Sequence, residues 1–253
     1  MKGPEACTLG AAEQDERALR RDESFAKHAK RIKSMNLIPD PKHDDGSCMV
    51  LDHYMAEAAL GFPKGHLDGY GSVYSTDTQK RSWIGDSFCI RSVMHCMPLW
   101  SALQKEGRWA PGGAVALSLF DGIGGGPVAV HDAGIKVRIW IIVEKEKLRT
   151  KITEAFLEQK GFTSITRDDF MNTPTHIISR LESTYVVFQG EHAIEEFLGE
   201  FKGWSAITML IGGSPCSDIT ASNRKRTYLE GAQSSLFKYY AQAVKNIHTA
   251  GKL

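Results

Sequence analysis

The chain has 253 residues, with 31 Lys and Arg against 30 Asp and Glu, so its formal net charge is +1. That is enough chain for one sizeable α/β core, and a nucleic-acid partner would have to be met by a local basic surface rather than by overall charge. No apolar run approaches the ~18 residues of a membrane span, no secretory h-region opens the chain, and Cys7, Cys48, Cys89, Cys96 and Cys216 form neither a CxxC pair nor a metal-ligand spacing, which fits a reducing compartment, nuclear or cytosolic.

In chain order, residues 1–48 are polar and charge-rich. They read as a solvated, flexible segment, with a possible helix over 22–35 and a loop from Pro39 to Gly46. The remainder, 49–253, reads as one domain in two parts, 49–104 and 114–250. A short helix over Asp52–Leu60 precedes Gly61-Phe62-Pro63-Lys64-Gly65-His66 and a loop rich in Gly, Ser, Thr and Tyr. The stretch Trp83 to Phe88 then leads into a helix from Ile90 to Leu103. From Ala114 the texture changes. Val115–Phe120 and Arg138–Val143 are buried-strand candidates, the first running through Asp121-Gly122-Ile123-Gly124-Gly125-Gly126 into a helix over Pro127–Ala133. An amphipathic helix follows to Lys160, then a strand candidate over Phe162–Thr166, and a further one over Ala206–Ile211. Apolar strands alternating with helical patterns imply βαβ units and a mostly parallel sheet.

A strand feeding a Gly-rich turn that opens a helix is a nucleotide-binding arrangement: glycine allows close approach of the backbone, and the helix start offers free N–H groups. Glu144 ends the next strand 22 residues after Gly122, where a carboxylate can bind both hydroxyls of a ribose. Asp121 sits inside the turn, where it would repel a pyrophosphate but suit a cationic ligand. Asp168, beside Asp169, is placed either to accept from an adenine amino group or to cap a helix before Phe170. Gly212-Gly213-Ser214-Pro215-Cys216 puts a cysteine just beyond a strand's C-terminal end, where ligands collect in open α/β sheets. Taken alone that cysteine reads equally as a small buried hydrophobe.

Phe120-Asp121-Gly122-Ile123-Gly124-Gly125, Glu144, Gly212 to Cys216, Asn223-Arg224 and Leu229 to Phe237 together resemble the cytosine-C5 DNA methyltransferases. Within them the pattern is most similar to the plant domains-rearranged group, with the mammalian de novo enzymes next. Leu60-Gly61-Phe62-Pro63-Lys64 and Gly85-Asp86-Ser87-Phe88 precede the cofactor turn instead of following it, the inverted order of that group. The resemblance implies a Rossmann-like methyltransferase fold, circularly permuted, with S-adenosylmethionine as cofactor. It implies methyl transfer to C5 of cytosine in DNA, of de novo type, in the nucleus. By the same resemblance Cys216 is the nucleophile on C6 of a flipped cytosine. Phe120, Asp121, Gly122, Ile123, Gly124, Glu144 and Asp168 line the cofactor site, and Ser87 and Phe88 close it. Asn223 and Arg224 contact DNA, beside the basic run Arg224-Lys225-Arg226, which alone reads equally as a solvated face. A homo- or heterodimer with another methyltransferase domain is a further implication.

Three departures from the family pattern stand out. The chain has no Glu-Asn-Val, the family motif whose Glu bonds cytosine N3. The connection from Asp168 to Trp204 is long, and Tyr185–Gly190 reads as inserted material. Asp86 and Asp218 replace Asn, and Thr208 stands where the strand usually carries Asp. These departures keep open a second expectation, a catalytically weak paralogue or fragment that binds S-adenosylmethionine and acts through an active partner.

Overall fold

The computed structural model describes residues 37–39, 48–68, 76–213, 231 and 234–251. It divides into two compact units, 1–56 and 57–253. In the first, β1 (Leu37–Pro39) and β2 (Cys48–Val50) pair antiparallel, with Leu37 opposite Val50 and Pro39 opposite Cys48. The tail reading thus misses a strand pair, which three-residue runs are too short to announce by alternation. The helix expected over 22–35 lies outside the described residues. The division falls within α1 (His53–Leu60).

The second unit is built on a five-stranded, all-parallel sheet in which β5 (Thr163–Ser164), β6 (Thr184–Gln189), β4 (Val137–Glu144), β3 (Ala114–Leu119) and β7 (Met209–Gly212) lie side by side in that order. Its centre is β3 (Ala114–Leu119) and β4 (Val137–Glu144). All six residues of β3 are buried, because helices cover both faces of a parallel sheet; its run is apolar except for Ser118, whose hydroxyl bonds Asp121. Val115, Leu117, Leu119, Ile139, Ile141 and Val143 share one core with Phe197 and Ala243. That core is the face covered by α9 (Ala193–Glu200) and α10 (Phe237–Ala250), and it takes in Ile178 of the one-turn α8 (Thr175–Ile178). On the opposite face Gly126 of α5 (Gly125–Asp132) packs against Ser118 and Ile211. The period of two in these strands decides which residue meets which helix layer. Each fully buried Val, Leu, Ile or Phe contributes about 1.5–3 kcal/mol, so the centre of the sheet is a firm platform for the turns at its C-terminal edge.

Two expectations change. The helix foreseen from Ile90 to Leu103 is two helices, α3 (Ile90–His95) and α4 (Pro98–Lys105). Pro98 has no N–H to donate to the preceding turn, so it ends the first helix and stands in the first turn of a new one, where that donor is not needed. Trp83-Ile84-Gly85 ends a further helix, α2 (Asp77–Gly85), started by a capping box between Thr76 and Gln79.

The second change bears on the site. Residues Tyr185–Gly190, read as inserted material, lie largely in β6 (Thr184–Gln189), which pairs with β4 along its whole length. The strand foreseen over Phe162–Thr166 is only β5 (Thr163–Ser164), an edge strand reaching no further than Tyr185 of β6. The amphipathic helix between β4 and β5 is α6 (Lys147–Gln159). β7 (Met209–Gly212) forms the other edge among the described residues.

Candidate functional site

β3 ends at Leu119 and the chain turns through Phe120 to Gly124, where α5 begins. Phe120 has φ +54°, Gly122 +61° and Gly124 +81°. Left-handed backbone is free of cost for glycine but strained at Phe120. Three amides of the turn have defined partners: the Asp121 amide donates to the Val143 carbonyl at 3.4 Å, the Gly124 amide to the Asp121 carbonyl at 3.1 Å, and the Gly122 amide to a Glu144 carboxylate oxygen at 2.9 Å. The other Glu144 oxygen accepts the Glu146 amide at 3.0 Å. Spacing along the sequence therefore becomes direct contact: the acid that ends β4 touches the glycine turn that follows β3.

Asp121 behaves differently from the expectation of an acid facing a cationic ligand. It is only 7% exposed, and its carboxyl accepts from the hydroxyls of Ser118 and, at 2.6 Å, Thr153 of α6. Burial pushes its pKa up to about 6, against the pull of those two hydroxyls, with the charge of Glu144 adding to the rise. The side chain braces turn, strand and helix from inside. Aspartate's length suits that task, and nothing in the sequence distinguishes inward from outward.

Ser87 and Phe88, upstream in sequence, lie against the start of α5. A Cβ on Gly125 would stand 3.1 Å from Ser87 Oγ and 3.2 Å from the Phe88 ring. A Cβ on Gly124 would meet Thr153 Oγ1 at 2.9 Å. The glycines thus let three separate segments converge. A further contact went unforeseen: His66 Nε2 lies 2.6 Å from the carbonyl oxygen of Ile123. The ring is stacked on Phe62, and Glu57 accepts from the amides of Gly65 and Leu67 on either side of it. The sequence signal was the run Gly61 to His66 itself, which carries a histidine amid glycine, proline and aromatic residues.

Asp168 is not brought to this cluster. It is exposed in the first turn of α7 (Arg167–Met171), whose cap is Thr166, and it follows the edge strand β5. β6 intervenes, so the strand that leads to Asp168 is two strand spacings, roughly 10 Å, from β4. The residue in register with Glu144 is Gln189, at the end of β6, whose side-chain oxygen accepts from Thr150 at 3.2 Å. Cys216, Asn223 and Arg224 lie outside the described residues; β7 ends at Gly212. An apolar groove of about 400 Å³ runs from Phe88 past Met97, Trp100 and Tyr240 to Gly212. A larger groove, about 810 Å³, lies at the far end of α5 beside Asp132 and Ala133, away from the turn.

The donor set fits S-adenosylmethionine. Glu144 is half-buried, and each carboxylate oxygen keeps acceptor capacity for a vicinal diol after its one amide bond. The first-turn amides of α5 have no intrahelical acceptor and sit at the positive end of the helix, which suits an amino-acid carboxylate.

No family model matches the chain. Curated relatives do. DNA (cytosine-5)-methyltransferase DRM1 of Arabidopsis thaliana is 32% identical over 198 residues, 78% of this chain and 28% of the relative. DRM2 of the same plant is 32% identical over 190 residues, 75% and 26% respectively. DRM2 of Oryza sativa subsp. japonica is 30% identical over 192 residues, 76% and 27%. By sequence the chain is a relative of the plant domains-rearranged cytosine-5 DNA methyltransferases. It spans about a quarter of the length of the relatives it matches. Its all-parallel sheet is the Rossmann-like fold of S-adenosylmethionine-dependent methyltransferases, with the Ser87-Phe88 segment entering ahead of the glycine turn.

Two departures from the domains-rearranged pattern have partners in this chain. Asp86 pairs with Arg149 of α6 at 2.8 Å. Thr208 accepts the Val115 amide through its hydroxyl at 2.9 Å and donates its own amide to the Val115 carbonyl at 3.0 Å, extending the β3–β7 ladder.

Proposed function

We propose that this chain binds S-adenosylmethionine and belongs to a machinery that methylates C5 of cytosine in DNA, de novo and in the nucleus. One observation carries the reading: the Glu144 carboxylate meets the Gly122 turn while Ser87 and Phe88 close on Gly125 from an upstream segment. The cofactor supplies an electrophilic methyl group when bound. Phe120, Gly122, Ile123 and Gly124 shape its cradle, Glu144 takes the ribose hydroxyls, and Asp121 holds the turn from behind. Cys216 is the proposed nucleophile at cytosine C6, and Asn223 and Arg224 the proposed DNA contacts. DNA is thus the proposed macromolecular partner. A homo- or heterodimer with a second methyltransferase domain belongs to the same proposal. No helix among the described residues is long and apolar enough to cross a membrane.

A second reading has its own support. The 253 residues contain no Glu-Asn-Val, so a paralogue that binds the cofactor and works through an active partner is the alternative. Calorimetry with S-adenosylhomocysteine tests the shared part: saturable binding is expected, and no heat and no thermal shift at millimolar ligand would remove both readings. Methylation of duplex DNA by the chain alone, against methylation only when an active relative is added, separates them.

A further inference from the structure

We propose that His66 is a positioning residue for the cofactor turn, fixing the peptide between Ile123 and Gly124; its consequence for ligand affinity rests on the S-adenosylmethionine reading above. A carbonyl only accepts, so the 2.6 Å contact assigns the proton to Nε2 of His66. The acceptor is special in its place. The helical ladder of α5 starts one residue later, where the Gly124 carbonyl accepts the Val128 amide at 3.1 Å. The Ile123 carbonyl therefore takes its bond from a side chain 57 residues upstream. Ile123 is flanked by Gly122 and Gly124, both at positive φ, and glycine crosses φ/ψ space with little steric hindrance. The Ile123–Gly124 peptide turns about ψ of Ile123 and φ of Gly124, where glycine offers little steric resistance, and its rotation would swing the Gly124 amide away from Asp121 and loosen the turn that presents the Gly122 amide to Glu144. His66 opposes that rotation.

The histidine is itself held. Its ring is stacked on Phe62 with centroids 4.9 Å apart and meets the Phe156 ring edge-on at 5.9 Å. Its backbone neighbours Gly65 and Leu67 donate to the fully buried carboxylate of Glu57 at 2.9 and 2.8 Å. Lys80 bridges to Asp68, tying the same segment to α2. Burial keeps the His66 pKa below its ordinary value, so the neutral ring that donates through Nε2 persists at neutral pH. The segment 57–68 thus acts as a buckle whose tongue is one imidazole N–H.

The test compares wild type, His66→Ala and His66→Gln in the 253-residue chain; Gln can carry an N–H near the position of Nε2. Two readouts are used. In ligand-free protein, amide hydrogen exchange at Gly122 and Gly124 should speed up about ten-fold in His66→Ala, the worth of one hydrogen bond, and return toward wild type in His66→Gln. The dissociation constant for S-adenosylhomocysteine should rise about ten-fold in His66→Ala and recover in His66→Gln. Unchanged glycine exchange in His66→Ala overturns the proposal, as does a His66→Gln variant that matches His66→Ala in both readouts. A wild type that fails to bind S-adenosylhomocysteine removes the cofactor reading, while the glycine exchange still decides the role of His66.

Discussion

The Glu144 carboxylate accepts the Gly122 amide at 2.9 Å and so ties the ends of two adjacent parallel strands together at the edge where ligands collect. The same carboxylate is the proposed ribose anchor, so truncating it removes both the brace and the ligand bonds. Glu144→Ala should weaken S-adenosylhomocysteine binding by about 1.5–3 kcal/mol, the range for hydrogen bonds to a charged group. Isothermal titration against wild type measures it, and a change below three-fold in affinity would show that the carboxylate does not touch the ligand.

Gly212 and Gly213 look equivalent in sequence and should respond oppositely to alanine. Gly212 lies in register with Leu119, has φ +139°, and would place a Cβ 2.0 Å from the Leu119 carbonyl oxygen. A Cβ on Gly213 would meet nothing within 4 Å among the described residues. Gly212→Ala should cost about 3 kcal/mol or more, because backbone must move, whereas Gly213→Ala should stay within about 0.5 kcal/mol. Chemical denaturation of the two variants side by side checks the contrast.

Much of this site was legible in the sequence, for a physical reason. Ile139 to Val143 is an unbroken apolar run, and Val115 to Leu119 is interrupted only by Ser118, because both faces of a central parallel strand are covered. The turn between them needs glycine at positive φ, so both strands and the turn announce themselves locally. β6 did not. Its residues Tyr185 to Phe188 look strand-like, but their place between β4 and β5 is a fact of long-range pairing. Against the family pattern the connection from Asp168 to Trp204 is long, and the segment reads there as inserted material. Asp168 suffered from the same omission, since its distance from Glu144 depends on β6 lying between them. The inward turn of Asp121 and the reach of His66 to Ile123 are likewise tertiary facts that no spacing encodes.

Asp121 makes stability depend on pH in a direction that can be worked out. Its folded pKa is about 6 against an ordinary 3.8. Between these values the unfolded chain releases the proton first, so rising pH favours unfolding. The stabilising contribution is fully present below pH ~4 and is lost as pH rises through about 6. The full difference corresponds to about 3 kcal/mol at 1.36 kcal/mol per unit. Asp121→Asn cannot ionise and keeps a side chain able to bond Ser118 and Thr153. The stability of wild type relative to this variant should therefore fall between pH 4 and 6 and level off above that. A difference independent of pH over this window would mean that the carboxyl ionises as readily in the folded chain as in the unfolded one.

The proposed chemistry at Cys216 has the sharpest exposure. Thiolate attack on cytosine C6 pushes negative charge into the ring, and the attack needs N3 protonated or hydrogen-bonded by an acid. In the family pattern that acid is the Glu of Glu-Asn-Val, which these 253 residues lack. Losing a donor that acts on developing charge typically lowers the rate by ~10²–10³. The chain alone, incubated with S-adenosylmethionine and duplex DNA carrying 5-fluorocytosine, should therefore give at most a faint covalent adduct, and Cys216→Ser should give none. Fluorine in place of the C5 proton blocks the final elimination, so the adduct accumulates and reports the attack step separately from turnover. An adduct that survives Cys216→Ser would assign the nucleophile elsewhere. Rapid adduct formation by the wild-type chain would show that another residue supplies the proton to N3, and the absence of Glu-Asn-Val would then no longer argue for a partner.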